Sequence, residues 1–372
     1  MYIHPCRVIP PVSGVGRHII GMLNELKRSD QFSTELLFAR DQASEVESDR
    51  FPDALRSLKR NALAAPERWM EWGWKSIGLP RFENVFGKFD IVYSPAETCF
   101  PRGKTPRLIT LHDIYPLDPI YPYYRSSVSA KKQFASWSYW VPRAFATATA
   151  ILTVSEFSKK RMCELLGVDP CSVHVVGNGI DTIFFEAAGK NLEHCVRPIP
   201  NPYAIVIGGL CDRKGAKDIL AVAAYLRTKA PDLRIVVVGK CEDHWSRRAM
   251  EHPNVVLVGP QTDEAMVGFI RAAECTLFLS YYEGFGIPIV ESMAIGTPVV
   301  ASNGTSLPEV QGGVGGSFSV EDSGAIGDWI KWIASSPSDR QAIIEKGKLR
   351  AQAFTWRACV QRLRSVFETV SR

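Results

Sequence analysis

The sequence predicts an α/β protein built as two doubly wound Rossmann-like domains, and three observations carry that reading. Short Val- and Ile-rich runs alternate with helical stretches through the second half of the chain. The first half repeats the alternation with less regular spacing. The length of 372 residues exceeds the size, roughly 250–300 residues, at which a single core stops growing.

In the second half, residues 203–209, 234–239, 254–259, 275–280 and 298–301 read as strands. Their apolar runs are nearly continuous, the mark of parallel strands covered on both faces. Residues 216–229, 263–273 and 288–295 read as the helices between them; in the first of these, apolar residues fall at 219, 220, 223 and 226. In the first half, strands are expected at 35–39, 90–93, 108–111, 150–154 and 173–176, with helices at 17–27 and 156–166. After Met1 only Tyr2, Ile3 and His4 precede Pro5, where such a domain calls for about five β residues. The opening strand therefore reads as shortened. Residues 181–200, with Gly189 and a run of prolines that extends to Pro202, read as a linker. The expected domains are thus 1–180 and 201–354. Ligands of such sheets bind at the carboxyl ends of the strands, which for two domains means a cleft between them.

Composition excludes several classes. Hydrophobic residues make up 46% and charged residues 22%, ordinary values for a soluble globular enzyme. The nine cysteines are scattered and form no C-x-x-C pair, so neither a disulfide framework nor a zinc site is expected. Reduced cysteines suit a cytoplasmic chain. No apolar run approaches the ~20 residues of a membrane span, and no basic and apolar leader follows Met1. Residues 1–180 hold 23 Lys/Arg against 18 Asp/Glu, whereas residues 181–372 hold 21 of each. Between 50 and 143 the balance is 15 against 8, interleaved with Trp69, Trp72, Trp74, Phe134, Trp137, Tyr139 and Trp140. Such segments suit an anionic membrane surface or a lipid-linked diphosphate; aromatic helical residues are also common in cores. The charge is too mild, without a recognition motif, for a nucleic-acid partner.

Four segments carry chemistry. Glu283-Gly284-Phe285-Gly286 follows a strand and enters a helix at Pro288, with Glu291 expected in the first helical turn. Glycines let the backbone approach a ligand, and a helix start offers N–H groups to phosphate. The same pattern also fits a purely structural strand–loop–helix, with Glu291 opposing the dipole. Gly208-Gly209 leads to Arg213-Lys214-Gly215, two cations suited to a diphosphate leaving group. Gly14-Val15-Gly16 opens the first helix, and His112 ends the strand 108–111. Each of these last two is weak taken alone.

Together and in this order, the four segments resemble family-4 retaining glycosyltransferases of GT-B architecture, bacterial polysaccharide and O-antigen mannosyltransferases in particular. Glu283 and Glu291 match the family's E-x7-E pattern, continued by Ser292-Met293-Ala294-Ile295-Gly296-Thr297-Pro298 and by Leu307-Pro308-Glu309-Val310. Thr153-Val154-Ser155-Glu156 and Asn178-Gly179-Ile180-Asp181 match as well. The likeness runs from about residue 12 to 312. It departs at residues 312–316, where four glycines replace the usual stretch, and at Cys211-Asp212.

The resemblance implies roles residue by residue. Arg213 and Lys214 would hold the donor diphosphate, and Glu291 the ribose. Glu283 and the backbone of Gly284, Phe285 and Gly286 would contact the transferred sugar. Gly14 and Gly16 would line the phosphate side, His112 would contact the sugar near the reacting carbon, and Gly259 and Pro260 would flank the base. The first domain, 1–180, would bind the acceptor and the second, 201–354, the nucleotide-sugar donor, and a final helix over about 355–372 would pack back on the first domain. The implied reaction is transfer of a hexose with retention, mannose from GDP-mannose, onto a glycan or polyprenyl-diphosphate-linked acceptor in surface polysaccharide synthesis. A UDP-hexose, GDP-fucose or dTDP-rhamnose donor, or a non-catalytic nucleotide-sugar-binding subunit, are the alternatives. No cofactor and no metal are expected, since no D-x-D motif lies in a loop context and the two cations take that place. The chain is expected in the cytoplasm, with peripheral contact to the inner membrane face.

Overall fold

The computed structural model describes residues 1–371 apart from 11, 30–31, 82, 85–86, 88, 102, 188–198 and 200–201. It divides into two units: Met1–Ile120, Tyr124–Gly179 and Thr355–Arg372 form the first, and Tyr121–Tyr123 with Ile180–Phe354 the second.

In chain order the strands are β1 (Glu35–Phe38), β2 (Lys59–Ala62), β3 (Val92–Ser94), β4 (Arg107–Thr110), β5 (Ala150–Thr153) and β6 (Val173–Val175) in the first unit. The second holds β7 (Tyr203–Ile207), β8 (Arg234–Val238), β9 (Val255–Gly259), β10 (Cys275–Phe278), β11 (Val299–Ser302) and β12 (Gly316–Phe318).

The second unit is one parallel sheet in the order β12-β11-β10-β7-β8-β9. Chain progress runs outward from β7 in one direction, then restarts at β10 in the other, so the topological switch lies between β7 and β10. All five residues of β7 are buried, as are Ile235, Val236, Val237 and Val238 of β8. This explains the unbroken apolar runs: side chains on both faces meet helices, among them Ala216–Lys229 and Ser323–Ser335. The expected element ends shift by a residue or two. The strand expected to reach 209 stops at Ile207 because Gly208 and Gly209 take positive φ, 95° and 78°.

The short opening segment of the first unit is a strand in function. Tyr2 N donates to Tyr93 O at 2.9 Å, Ile3 N to Leu37 O at 3.0 Å and Leu37 N to Met1 O at 2.8 Å. Residues 1–3 therefore join the pair β2-β1 to the sheet β3-β4-β5-β6, and a second doubly wound order results. Few residues suffice because Tyr2 is fully buried, edge-on to Trp74 and Phe100. β2, an edge strand of sequence KRNA, was not expected; it has no apolar alternation to reveal it.

The stretch expected as a linker opens with a helix, Thr182–Ala187, whose Phe184 and Ala187 are buried. The remainder, 188–198 and 200, lies outside the described residues. The helix Trp356–Val370 belongs to the first unit: Cys359, Leu363 and Phe367 pack with Met22, Leu26, Tyr93 and Leu152. Gly21 is the contact point, since a Cβ there would lie 2.1 Å from the Trp356 ring.

Candidate functional site

The loops after β7 and β10 flank the switch point of the second unit, and they carry Arg213, Lys214 and Glu283. Tyr281 N donates to Arg213 O at 2.9 Å and binds one loop to the other. Gly215 is where they touch. It has φ +69°, and a Cβ would sit 2.2 Å from the Leu279 carbonyl oxygen. Gly215→Ala should therefore lower unfolding free energy by about 1–2 kcal/mol for the left-handed backbone and a further ~1–3 for the displaced contact. Urea titration of the purified variant measures it.

Arg213 Nη1 lies 2.7 Å from Glu283 Oε1 and donates to Tyr282 O at 2.8 Å. Ser280 Oγ donates to the same Glu283 oxygen at 2.9 Å. The Glu283 backbone is pinned as well: its N–H donates to Thr305 Oγ1 at 3.3 Å, and its carbonyl accepts from Ser306 Oγ at 2.9 Å. Thr305 adopts φ 56°, rare for a β-branched residue, to present that hydroxyl. Lys214 Nζ donates to Gly208 O at 3.1 Å. Burial pulls the Lys214 ammonium below its ordinary pKa, an effect that nearby Glu283 opposes.

Gly286 caps the helix Ile287–Ile295 with φ 106°, and Pro288 occupies its first turn. Phe285 is buried and packs edge-on to Phe354, 5.5 Å between centroids, so only its backbone is offered to a ligand. One expectation needs correcting. The helix begins at Ile287, which puts Glu291 in the second turn, and no acidic residue sits in the first. Glu291 is 5% exposed. Dipole compensation fades beyond the first turn, so that structural role does not explain it. Gly259 ends β9 at φ +76° with open space where a Cβ would be, and Pro260 beside it is exposed.

Gly14, Gly16 and His112 lie in the first unit. Ser13 Oγ accepts from Gly16 N at 3.2 Å and caps the helix Gly14–Lys27. Gly16 fits because a Cβ would fall 2.1 Å from the Arg7 carbonyl oxygen. His112 is half-buried, and its Nε2 donates to Pro95 O at 3.0 Å, which leaves Nδ1 as the acceptor. Burial holds its pKa down at about 4, so the ring is neutral. It packs edge-on to His18, 4.7 Å between centroids.

Among the described residues, His4 with Glu67 and Glu71, and Asp212 with Glu242 and His244, are the groups spaced to hold a metal ion. In both, a carboxylate already has an internal donor: Lys75 on Glu71, and Trp245 Nε1 on Asp212 at 2.9 Å.

Comparison with known proteins decides the family. Residues 12–184 match the family described as Glycosyltransferase Family 4, and residues 196–350 match Glycosyl transferases group 1. The chain belongs to the family-4 glycosyltransferases. Among its relatives is the O-antigen chain mannosyltransferase B of Escherichia coli, 24% identical over 94% of each chain. The MMP alpha-(1->4)-mannosyltransferase of Mycolicibacterium hassiacum is 28% identical over 59% of this chain, which spans about half (53%) of that relative. The fold matches a glycosyltransferase from Rickettsia africae (TM-score 0.67, 16% identity, 96% of each chain). It also matches sucrose-phosphate synthase from Thermosynechococcus elongatus (TM-score 0.69, 16% identity, 96% of this chain and 94% of that one). The fold of this glycosyltransferase is therefore GT-B, with two Rossmann-like domains.

In this glycosyltransferase, sequence reasoning missed part of what surrounds the loops after β7 and β10. Tyr121 and Tyr123 join the second unit and pack edge-on to Tyr282 and Tyr281, at 6.2 and 5.7 Å. Tyr281 in turn donates to the buried Asp218 at 2.6 Å. The tyrosine-rich run at 121–124 was the available signal.

Proposed function

We propose that this glycosyltransferase moves mannose from GDP-mannose, with retention, to a glycan or polyprenyl-diphosphate-linked acceptor of a bacterial surface polysaccharide. The convergence of Arg213, Lys214 and Glu283 at the switch point of the second unit carries the reading. The full-length likeness to an O-antigen mannosyltransferase supports the sugar.

In the step proposed, the bond from the anomeric carbon to the donor phosphate oxygen breaks. The acceptor oxygen bonds to the same face of that carbon, and its proton passes to the departing diphosphate. Arg213, Lys214 and the N–H groups at the start of Ile287–Ile295 stabilise the charge that grows on the diphosphate. Glu283, held by Arg213 and Ser280, accepts hydrogen bonds from sugar hydroxyls, and Glu291 does so from the ribose. Neutral His112 offers Nδ1 to a sugar hydroxyl. No step here uses a metal or cofactor. A panel of nucleotide sugars, scored by thermal shift and by nucleotide release, tests the donor. GDP-mannose should give the largest stabilisation and turnover; a UDP- or dTDP-sugar that outperforms it would overturn the donor assignment.

The same reading places the enzyme on the inner face of the membrane as a peripheral protein. No helix of the described chain is long and apolar enough to cross a bilayer. The helix Glu67–Ser76 exposes Trp69 and Trp72 (63% and 58%), followed by exposed Ile77 and Leu79, while Trp74 is core. Basic residues nearby, Arg68 against the Trp69 ring among them, suit anionic headgroups. Trp69→Ser with Trp72→Ser should cut co-sedimentation with vesicles containing phosphatidylglycerol at low salt by about tenfold. Equal sedimentation of variant and wild type would remove the membrane contact.

A further inference from the structure

The first unit has its own switch point, between residues 1–3 and β3, and a cavity of about 330 Å³ opens there. Its floor comes from the segments that leave those two strands, His4 to Arg7 and Glu97 to Cys99. Its walls are the helices Glu67–Ser76 and Val128–Thr147. Nothing assigned to the donor lines it.

The walls combine two kinds of group. Glu67, Glu71 and Lys75 recur every four residues, so they share one face of their helix, distinct from the face of Trp69 and Trp72. Lys75 Nζ lies 2.6 Å from Glu71, and Arg7 Nη2 lies 2.6 Å from Glu97. Glu67 is held by His4 and by Gln42 Nε2 at 2.7 Å. Opposite stand Trp137 and Trp140, both half-buried, 5.2 Å between ring centroids.

Paired carboxylates and cations give hydroxyl groups both acceptors and donors. Indole faces give C–H groups a flat apolar partner. Three carboxylates against two cations disfavour a phosphate. The Lys75 ammonium already balances the charge of Glu71, and His4 and Gln42 already engage Glu67, which leaves these carboxylates less suited to a metal ion. The volume lies at the low end for small-molecule sites, which suits one sugar unit better than a nucleotide.

We propose that this cavity binds a neutral pyranose unit of the acceptor glycan, with Trp137 and Trp140 against the ring and Glu67, Glu71 and Glu97 accepting from its hydroxyls. The word acceptor rests on the transfer reaction proposed above; the binding itself does not.

Saturation-transfer NMR on the full chain tests the site. The probes are methyl α-mannoside, methyl α-glucoside, methyl β-galactoside and methyl N-acetyl-α-glucosaminide, with mannose 6-phosphate as the charged control. At least one neutral glycoside should bind. Trp140→Ala and Glu71→Gln should each weaken it by about tenfold, and Trp140→Phe should restore most of the loss. Mannose 6-phosphate should bind more weakly than the neutral mannoside. Failure of every glycoside, undiminished binding in both variants, or tighter binding of the phosphate would each overturn the proposal. Melting temperatures of the variants establish that they fold. Stabilisation by nucleotide sugars is measured on the same proteins. If it persists while the glycosides fail, the cavity reading falls alone. If no nucleotide sugar stabilises the wild type, the donor reading falls and the glycoside data still judge the cavity.

Discussion

Arg213→Ala is expected to lower kcat by about 10²–10³-fold while the ligand-free protein keeps a melting temperature within a few degrees of wild type. The guanidinium is part-exposed, so little folding energy depends on it. In the mechanism proposed above, its loss has two effects on catalysis. One positive charge no longer meets the departing diphosphate. In addition, the Glu283 carboxylate loses its ion-pair partner and keeps the Ser280 hydroxyl as a donor, so its charge is less compensated towards the incoming nucleotide sugar. The second effect predicts non-additivity. Glu283→Gln removes that charge, so the double variant Arg213→Ala with Glu283→Gln should be less impaired than the two single losses combined, by about 0.5–3 kcal/mol. Arg213→Lys should not restore activity, since an ammonium cannot serve Glu283, the Tyr282 carbonyl and a phosphate in one plane. Steady-state kinetics with the stabilising nucleotide sugar decide the matter. A raised KM with unchanged kcat would mean that Arg213 binds ground state and transition state equally and gives the transition state no extra stabilisation.

Acid should weaken the first unit well before its carboxylates titrate. His18 is fully buried, with Nδ1 2.6 Å from Asn178 Oδ1 and Nε2 3.3 Å from the Tyr93 hydroxyl. A neutral ring donates at Nδ1 and accepts at Nε2, and the Tyr93 oxygen then accepts from Thr110 at 2.9 Å. Protonation would place a second donor against Tyr93 inside the core. Burial lowers His18 to about 3, helped by the neighbouring His112, which burial itself lowers to about 4. Both pKa values are depressed on folding from an ordinary 6.5, so the unfolded chain binds more protons in between. The stabilisation is complete above about pH 6.5 and is lost as pH falls towards 4. At pH 5 each ring forfeits about 2 kcal/mol, a sizeable share of the ~5–15 kcal/mol typical of a domain. Urea unfolding at pH 7.5 and pH 5 should show the loss, and His18→Gln should roughly halve it. A variant with the wild-type pH slope would rule out His18 as the cause.

The second unit was readable because its strands are buried on both faces. A run such as Tyr203 to Ile207 admits no polar position, and glycines mark where it stops. The loops after β7 and β10 were readable as candidates for the same reason: the glycines that follow each strand also mark where the charged residues Arg213, Lys214 and Glu283 fall. The first unit hid more. Residues 1–3 look too short for a strand because their stability comes from Tyr2 packing and hydrogen bonds to Leu37 and Tyr93, all distant in sequence. β2 carries no pattern because it lies at an edge. With Pro288 as the helix start Glu291 falls at the end of the first turn; the Gly286 cap starts the helix one residue earlier, at Ile287, and that single residue moves Glu291 into the second turn. Trp69, Trp72 and Trp74 could not be separated into exposed and core by composition; only the helical phase fixed by Met70 and Trp74 does that.

The helix Trp356–Val370 bears on how the protein is made. The first unit needs Leu363 and Phe367 to complete the packing around Met22 and Leu152. On the ribosome those residues emerge only after the whole second unit, roughly ten to forty seconds later at ~5–20 residues per second. Through that interval the nascent first unit keeps apolar surface uncovered and is a natural client for chaperones. The second unit, continuous from Ile180 to Phe354 but for Tyr121–Tyr123, has its parts to hand and can close before translation ends.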